Sequence, residues 1–275
     1  MSTNCEIKFI DVDNNEELVS YFPAIEKLFL EAFGKPLCFS MWKWAYQQNP
    51  FGEPLVSMAF CDGELVGHYA VVPMKLQNDE QILHGYLSMT TMVSVNFRRH
   101  NLFKTLAERV YTRIKDRESA AVVFGFPNDQ SAPGFRKRLG WTISDDFHVL
   151  SLRPRDLVNV EEMLTSRNKA AYYLDLKDDF ISDWRTRKPN QEWKILNGVG
   201  IKKHDFGLDL MYLDKYSILS ELFDEDILNA IIPISKDKAA ELGLEISFPY
   251  RFGYRTFNMD EVPEFFVQMC MSDVF

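Results

Sequence analysis

The chain has 275 residues with a formal net charge of −9, and 46% of its residues are apolar and 26% charged. This composition is typical of a folded protein and excludes disordered, collagen-like and low-complexity classes, and the acidic balance argues against a general binder of nucleic acid or anionic membrane. No run approaches the ~20 apolar residues of a membrane span, and the N-terminal residues lack the features of a signal peptide. The four cysteines are widely spaced and form no CxxC pair, so we expect no metal site and a reducing, cytoplasmic location.

Local patterns predict an opening strand and two helical regions before the first hairpin. Residues 6–12 alternate apolar and polar side chains, and a run with helical spacing continues to Gly34. An aromatic helix over 39–46 ends at an Asn-Pro-x-Gly turn. An Asp-Gly pair then separates two strand patterns, which is a strong hairpin signal, and another strand pattern covers 82–95.

A helix-strand-helix-strand unit follows. The segment from Arg98 has one apolar stripe at helical spacing, and 120–126 is a continuous apolar run with the length of a buried strand. A second helix follows Asn128 and ends at a glycine, and 141–152 closes the unit as one strand or two. The Arg-Pro-Arg sequence at 153–155 is typical of a domain boundary.

Beyond that boundary the alternation of helix and strand patterns continues. The predicted elements are helices over 157–164, 172–184 and 220–230, strands over 193–201 and 208–213, and an extended segment over 246–257. The stretch from Phe39 to Trp42 before an Asn-Pro turn is similar to the stretch from Phe180 to Trp184 before a Lys-Pro turn. Two interpretations stay open, coincidence in an aromatic-rich chain and a degenerate second copy of the first domain.

The stretch over 91–106 carries the strongest chemical signal. It combines a strand, a tight basic turn and the start of a helix, where unpaired backbone N–H groups and the helix dipole favour a negative ligand. Arg98, Arg99, His100 and Lys104 add positive charge in a chain that is otherwise acidic. The pattern is that of a pyrophosphate site, and a solvated basic helix start is the alternative.

The same stretch resembles the phosphate-binding signature of the GNAT superfamily of acyl-CoA-dependent N-acyltransferases, V-x-x-x-[YF]-R-[GR]-x-G-[IL]-[GAF]-x-x-L. The matching positions are Val93, Phe97, Arg98, Arg99, Asn101, Leu102, Phe103 and Leu106. Two glycines of the signature are missing. Asn101 replaces one of them, and asparagine enters the left-handed region more readily than most other residues.

Three further blocks resemble the family in kind and order. They are the aromatic helix over 39–49, the hairpin with its Val-Gly-His sequence and the block over 126–141, so the resemblance covers about residues 6–153. It implies an α/β (α+β) fold with a mixed central sheet flanked by helices. It also implies an acyl-CoA-binding GNAT domain over 1–153 and a smaller, degenerate GNAT-like domain over 154–275 that contributes to the acceptor cleft.

The resemblance implies acyl-CoA as a co-substrate and no permanently bound cofactor. The thioester would lie between two splayed strands, with its pantetheine paired to the backbone of Val93 and Val95. The N–H of Val93, or of a neighbour at a bulge, would polarise the thioester carbonyl. The side chain of Asn128 would bind the pantetheine arm. The pyrophosphate would lie on the amides of Arg98, Arg99, His100, Asn101, Leu102 and Phe103.

Direct attack by a neutral amine needs no covalent enzyme intermediate but gains from a general base. We favour His68 as that base because it lies in a block opposite the expected thioester site, and His84 and His148 are alternatives. Many members of the family carry a tyrosine that protonates the leaving thiolate, and Phe135 stands at that position here. A thiolate is a tolerable leaving group at neutral pH, so the reaction can proceed without a dedicated acid.

Several blocks look most like acyltransferases of cell-surface polysaccharide biosynthesis, which acylate an amino group on a nucleotide-linked deoxysugar. This resemblance implies a dTDP-linked amino sugar as the second substrate, with Arg251 and Arg255 as candidates for binding its diphosphate. The alternatives are another amine, such as a polyamine, an aminoglycoside or a peptide, and a non-catalytic acyl-CoA-binding module. The sequence leaves the acyl chain open, and a homodimer is a guess from the apolar content.

Overall fold

The computed structural model describes residues 6–204, 207–214, 219 and 227–272. The elements of the first half are β1 (Ile7–Val12), α1 (Asn15–Ser20), α2 (Phe22–Phe33), α3 (Phe39–Tyr46), β2 (Leu55–Cys61), β3 (Glu64–Gln77), β4 (Ile82–Val93), a 3-10 helix (Val95–His100), α4 (Leu102–Arg117), β5 (Ala121–Gly125), α5 (Ala132–Leu139), β6 (Thr142–Ser144) and β7 (Phe147–Leu152). Those of the second half are α6 (Leu157–Thr165), α7 (Asp179–Thr186), β8 (Trp193–Leu196), β9 (Val199–His204), β10 (Gly207–Leu213), β11 (Leu228–Pro233), α8 (Lys236–Glu241), β12 (Glu245–Pro249) and β13 (Phe252–Phe257). No helix of the described residues is both long and apolar enough to cross a membrane.

The elements of the first half form where their local signals predict them. Asn14 caps α1 by accepting the N–H of Glu17 at 2.7 Å, and Gly34 ends α2 with a left-handed φ of 68°. Asp62 and Gly63 have φ values of 51° and 83°, as a two-residue hairpin turn requires. In the second half, the helix predicted over 220–230 is wrong at its end, because β11 begins at residue 228; residues 220–226 lie outside the described ranges.

The first sheet has seven strands in the order β1-β2-β3-β4-β5-β13-β6. All neighbouring strands are antiparallel except β4 and β5. That parallel pair runs from His84 opposite Ala121 to Leu87 opposite Phe124, and β4 then continues to Val93 without β5 beside it. The two strands therefore part, and beyond Leu87 no strand of the described residues covers that edge of β4.

The second sheet repeats this arrangement with six strands in the order β8-β9-β10-β11-β7-β12. Here β8, β9 and β10 form an antiparallel meander, and β10 and β11 form a parallel pair at Leu208 opposite Leu228 and Asp209 opposite Asn229. Beyond those pairs β10 and β11 also part. The order of directions matches that of β2, β3, β4 and β5 in the first sheet, which is the arrangement expected of a duplicated unit.

Both sheets carry a bulge at the corresponding place. Between Met89 and Met92, β4 has one more residue than the facing segment of β3. Between Leu210 and Tyr212, β10 has one more residue than the facing segment of β9. A bulge bends its strand and frees backbone groups from the ladder, so both units deform the strand that borders their parted pair.

The two units exchange their last strands. β7 lies before residue 153 but pairs with β11 and β12 in the second sheet, and β13 lies beyond residue 153 but pairs with β5 and β6 in the first sheet. The predicted fold class, a mixed α/β fold with two GNAT-like units, is confirmed. The assignment of 1–153 and 154–275 as domains stays a prediction, since the strands of each sheet come from both ranges.

A reciprocal contact between two tryptophans joins α3 and α7. The indole N–H of Trp44 donates to the carbonyl of Trp184 at 2.7 Å, and the indole N–H of Trp184 donates to the carbonyl of Trp44 at 3.0 Å. The two rings are stacked with centroids 5.0 Å apart. The sequence similarity that matched Trp184 with Trp42 is therefore displaced by two residues, because Trp44 is the residue that faces Trp184.

We predict that Trp44→Phe and Trp184→Phe each lower the free energy of unfolding by about 1–3 kcal/mol, because each leaves a buried carbonyl without its donor. Trp193→Phe is the matched control, since the indole N–H of Trp193 donates only to the nearby side chain of Gln191. Denaturant unfolding monitored by circular dichroism measures the difference. Equal losses in all three variants would contradict a structural role of the reciprocal contact.

Candidate active site

A cleft opens where β4 and β5 part. It consists of two adjoining cavities of about 350 Å³ and 250 Å³ that share wall residues. The shared residues are Phe33, Thr91, Asn128, Ser131 and Phe135. The uncovered edge of β4 forms one wall, and the loop after β5 together with α5 forms the other. A ligand in this cleft would lie along β4 in the position of a missing strand.

Two buried side chains fix the bulge of β4 through hydrogen bonds. Thr90 has a φ of 48°, which is unusual for a β-branched residue. The Nδ1–H of His68 donates to the Thr90 carbonyl at 2.8 Å, and the hydroxyls of Tyr46 and Thr90 form a hydrogen bond. Both His68 and Tyr46 are buried, so the strained residue is fixed by groups that solvent does not reach.

The structure does not bring His68 to the wall of the cleft. The side chain is fully buried, and burial lowers the pKa of its imidazole to about 4. The ring is therefore neutral at physiological pH, and its Nδ1–H is occupied by Thr90. This placement suits a residue that positions the bulge better than a base that meets an incoming amine.

The two other histidines considered as bases also lie away from the cleft. His84 is at the opposite end of β4, where its Nδ1 is 2.6 Å from the carboxylate of Glu118. His148 is buried in β7 of the second sheet, with Nδ1 bonded to the carbonyl of Asp146. Among the described residues that line the cleft there is no imidazole and no carboxylate.

The backbone of Val93 faces the cleft, whereas that of Val95 does not. The N–H of Ser94 donates to Val66 of β3 at 2.9 Å, so the preceding N–H, that of Val93, points to the uncovered edge of the strand. The N–H of Val95 instead donates to the carboxylate of Glu31 at 3.0 Å, and Val95 belongs to the 3-10 helix. Val93 stays the predicted oxyanion donor. The predicted pairing of Val95 with pantetheine disagrees with this geometry, because its N–H is already bonded.

The basic turn ends the cleft and leaves a helix start open. Asn101 adopts the left-handed conformation with a φ of 58°, as its substitution for glycine predicts, and no side chain caps α4. Arg98, Arg99 and His100 precede it and are exposed, and Arg98 lines the cleft. Neither arginine forms an ion pair within the described part of the chain. Leu102 is buried beneath this turn, and Phe103 forms part of the cleft wall.

Arg138 is a functional candidate that the sequence analysis missed. It lines the same cavity as Arg98, its guanidinium lies 5.1 Å from the ring centroid of Phe103, and it has no ion-pair partner among the described residues. The helical spacing of Ser131, Gly134, Phe135 and Arg138 places all four on one face of the α5 region. This spacing is visible in the sequence, but only the structure shows that the face lines the cleft.

Asn128 and Phe135 complete the wall opposite β4. The Oδ1 of Asn128 accepts the N–H groups of Gln130 at 3.1 Å and Ser131 at 3.0 Å. Its carbonyl end therefore shapes the turn, and its amide N–H₂ is the end that suits a pantetheine carbonyl. The Phe135 ring packs edge-on against Phe103 and at a tilt against Trp141, so an apolar surface stands where the sequence resemblance implies a tyrosine hydroxyl.

The comparisons with known proteins give one family match, over part of the chain, and one fold. Residues 15–144 match the model of the acetyltransferase (GNAT) domain. No curated protein matches the chain at the level of sequence. The matched range contains the described walls of the cleft, the basic turn and α5, and it ends before His148.

Solved structures resemble nearly the whole chain. A GCN5-related N-acetyltransferase from Kribbella flavida has a TM-score of 0.61 at 11% identity, covering 92% of this chain and 72% of its own. Another from Anabaena variabilis has a TM-score of 0.58 at 12% identity, covering 90% and 72%. A glucosamine N-acetyltransferase region of a fungal multi-domain GH3 beta-N-acetylglucosaminidase has a TM-score of 0.53 at 12% identity, covering 93% and 39%. At these identities the likeness is one of fold.

We predict that Arg98→Ala and Arg138→Ala each weaken CoA binding by about tenfold, because each removes one charge-assisted contact to a phosphate. Lys137→Ala is the matched control, since Lys137 lies on the same helix as Arg138 but outside the cleft walls. Calorimetric titration with CoA measures the affinities. Unchanged affinity in both arginine variants would place the nucleotide elsewhere.

We also predict that His68→Asn retains most of the turnover, whereas His68→Leu loses it about tenfold or more at unchanged CoA affinity. The Asn side chain offers an N–H₂ close to the position of the Nδ1–H, so it can still hold the carbonyl of Thr90, and leucine cannot. Steady-state kinetics with a CoA titration separates the two effects. Equal loss in both variants would point to His68 as a base.

Proposed function

We propose that the protein is an acyl-CoA-dependent acyltransferase that acylates the amino group of a nucleotide-linked amino-deoxysugar; the match of residues 15–144 to the acetyltransferase (GNAT) domain supports the first part of this proposal. The observation that carries this proposal is the composition of the cleft. Its described walls hold several aromatic rings and no acidic side chain, and the two arginines that line it are the ones assigned above to the phosphates of CoA. Such a cleft suits a substrate with sugar and base faces and a negative charge.

The same composition disfavours polycationic acceptors. A polyamine or an aminoglycoside carries several ammonium groups, and each needs a carboxylate or another strong acceptor when it leaves water. The chain has an excess of acidic residues, but the described cleft walls carry none of them. The local charge of the cleft is therefore a better guide to the acceptor than the net charge of −9.

Several aromatic side chains line the cavity of about 250 Å³. Phe33, Phe126 and Trp141 line it, and the ring of Tyr250 stacks on Phe126 with centroids 5.0 Å apart. Flat rings bind the apolar faces of sugars and of nucleobases by stacking. The fungal glucosamine N-acetyltransferase region supports the proposal from another direction, since its name joins this fold to an amino sugar.

The proposal does not depend on Arg251 and Arg255. Arg251 is held by the carboxylates of Asp129 and Asp145, each at 2.6 Å. Arg255 is bonded to Glu108 and to the carbonyl of Leu139. Their charges are compensated within the protein, so the diphosphate of the acceptor would have to bind elsewhere along the cleft.

The basic turn at one end of the cleft and the open backbone edge of β4 define how the substrates lie in the reaction. The basic turn holds the nucleotide end of acyl-CoA, and the edge of β4 aligns the thioester, whose carbonyl oxygen accepts the N–H of Val93. The amine lone pair attacks the carbonyl carbon, the C–S bond breaks, and the sulfur leaves as a thiolate. The described walls supply no acid or base, so the proton of the attacking amine passes to water and the thiolate is released as such or takes a proton from water.

We predict that acetyl-CoA is consumed with a dTDP-linked amino-deoxysugar at a kcat/KM at least about a hundredfold above that for spermidine, an aminoglycoside or a lysine peptide, because only the first matches the ring-lined, acid-free cleft. Free-thiol release measures turnover, and mass spectrometry identifies the N-acylated product. The corresponding sugar nucleotide with a hydroxyl in place of the amino group is the matched control for thioester hydrolysis.

Two results would contradict the acceptor class. Faster turnover of a polyamine or aminoglycoside would assign the enzyme to cationic amines, and turnover of a free amino sugar as fast as of its nucleotide form would remove the role of the nucleotide.

A further inference from the structure

The second unit contains a cleft at the place that corresponds to the active-site cleft. After Asp209 and Asn229, the strands β10 and β11 part in the same way as β4 and β5. A cavity of about 420 Å³ lies between them, larger than either cavity of the first cleft. Leu210, Tyr212 and Leu213 of β10 line one side, and residues 230–233 of β11 contribute to the other. Nothing in the proposed acyl transfer uses this cavity.

The segment over 264–269 covers this second cleft and is bonded on both sides. Tyr172 donates its N–H to the carbonyl of Glu264 at 2.8 Å and accepts the N–H of Phe266 at 2.9 Å. The side-chain amide of Gln268 donates to the carbonyl of Leu213 at 3.0 Å. This segment therefore encloses the cavity on one side. The volume of the cavity is one at which proteins bind small organic molecules.

The walls of the pocket are mainly apolar. They consist of Phe147, Met163, Leu164, Ala171, Leu210, Tyr212, Leu213, Ala230, Ile231, Pro233, Phe265, Phe266, Val267 and Met269, with Ser166, Asn168, Gln268 and two carboxylates as the polar members. Such walls bind an apolar body by removing it from water.

The charged groups of the pocket are all negative. Glu162 and Glu264 are exposed at its border, and no lysine or arginine lines it within the described ranges. Glu264 accepts the side-chain N–H₂ of Asn168 at 2.7 Å and keeps a further oxygen for another donor. A carboxylate or phosphate ligand would be repelled here, whereas an ammonium group would be attracted.

The sequence that follows β10 also lacks the basic residues that follow β4 in the first unit. In the first unit the chain after β4 carries Arg98, Arg99, His100 and Lys104. In the second unit the sequence after β10, over 214–226, holds five acidic residues and one lysine. A second CoA site is therefore disfavoured, although the strands are arranged in the same way.

We infer that this second cleft binds a lipophilic amine, with its apolar body between β10 and β11 and its ammonium group at Glu162 and Glu264. The apolar walls select the body, and the two carboxylates select the cation over an anion of the same length. The inference is independent of the amino-sugar proposal, because it concerns a different cavity with the opposite charge.

Calorimetric titration with n-octylamine tests the inference, with octanoate as the probe of equal length and opposite charge. Octylamine is expected to bind and octanoate is not. Glu162→Gln combined with Glu264→Gln should weaken octylamine binding about fivefold or more. Glu161→Gln is the matched control, because Glu161 lies on the same helix outside the pocket.

Saturation with CoA and the Arg98→Ala variant separate this pocket from the active-site cleft, since neither should change octylamine binding. The inference is overturned if octylamine does not bind, if octanoate binds as tightly, if the double variant binds octylamine as the parent does, or if CoA displaces it. A titration with the filled variant Ala230→Leu adds a second readout, in which octylamine binding is lost while CoA binding is retained.

Discussion

The parting of two parallel strands is the constraint on which the active-site cleft depends. While β4 and β5 remain paired, from His84 to Leu87 on β4, each satisfies the backbone groups of the other. Beyond that point the edge of β4 needs a partner, and its bulge turns the chain so that no protein strand supplies one. Gly125 lies at the apex, where an added Cβ would be 3.3 Å from the carbonyl of Ser88. The two strands approach closely at this apex and separate beyond it. The backbone groups of β4 that the sheet leaves unpaired can then bond a ligand in an extended conformation.

The exchange of last strands makes this cleft a product of the whole chain. β13, from the second unit, pairs with β5 from Ala121 to Gly125 and fixes the wall that faces β4. Tyr250, just before β13, stacks on Phe126 at the mouth. The second unit therefore contributes structure to the candidate active site. Its own cleft shares the parted strands and the bulge and has mainly apolar walls.

The sequence predicted the features that depend on near neighbours and missed those that depend on distant ones. Asn101 in the left-handed region follows from the few residues around it. The bond between Val95 and Glu31 joins residues 64 positions apart, and it occupies the Val95 N–H that was expected to pair with pantetheine. Burial of His68 likewise comes from helices that pack on β3. The sequence around His68 does not show that burial, so it could not distinguish a buried positioning residue from a general base. The sheet that a strand joins leaves no signal in the sequence around that strand, so the exchange of β7 and β13 could not be predicted.

The distribution of arginine partners shows how an acidic protein keeps a place for an anionic substrate. Away from the cleft, arginines are neutralised: Arg109 and Arg113 by Asp11, and Arg251 by Asp129 and Asp145. Around the cleft, Arg98 and Arg138 have no such partner within the described ranges, although acidic residues outnumber basic ones in the chain by 40 to 31. Unpaired cations repel one another and are costly to desolvate, so the arrangement is stable only while water or an anion solvates them. A nucleotide bound here, as we propose, would replace that water without having to displace a carboxylate, because the described walls of the cleft carry none.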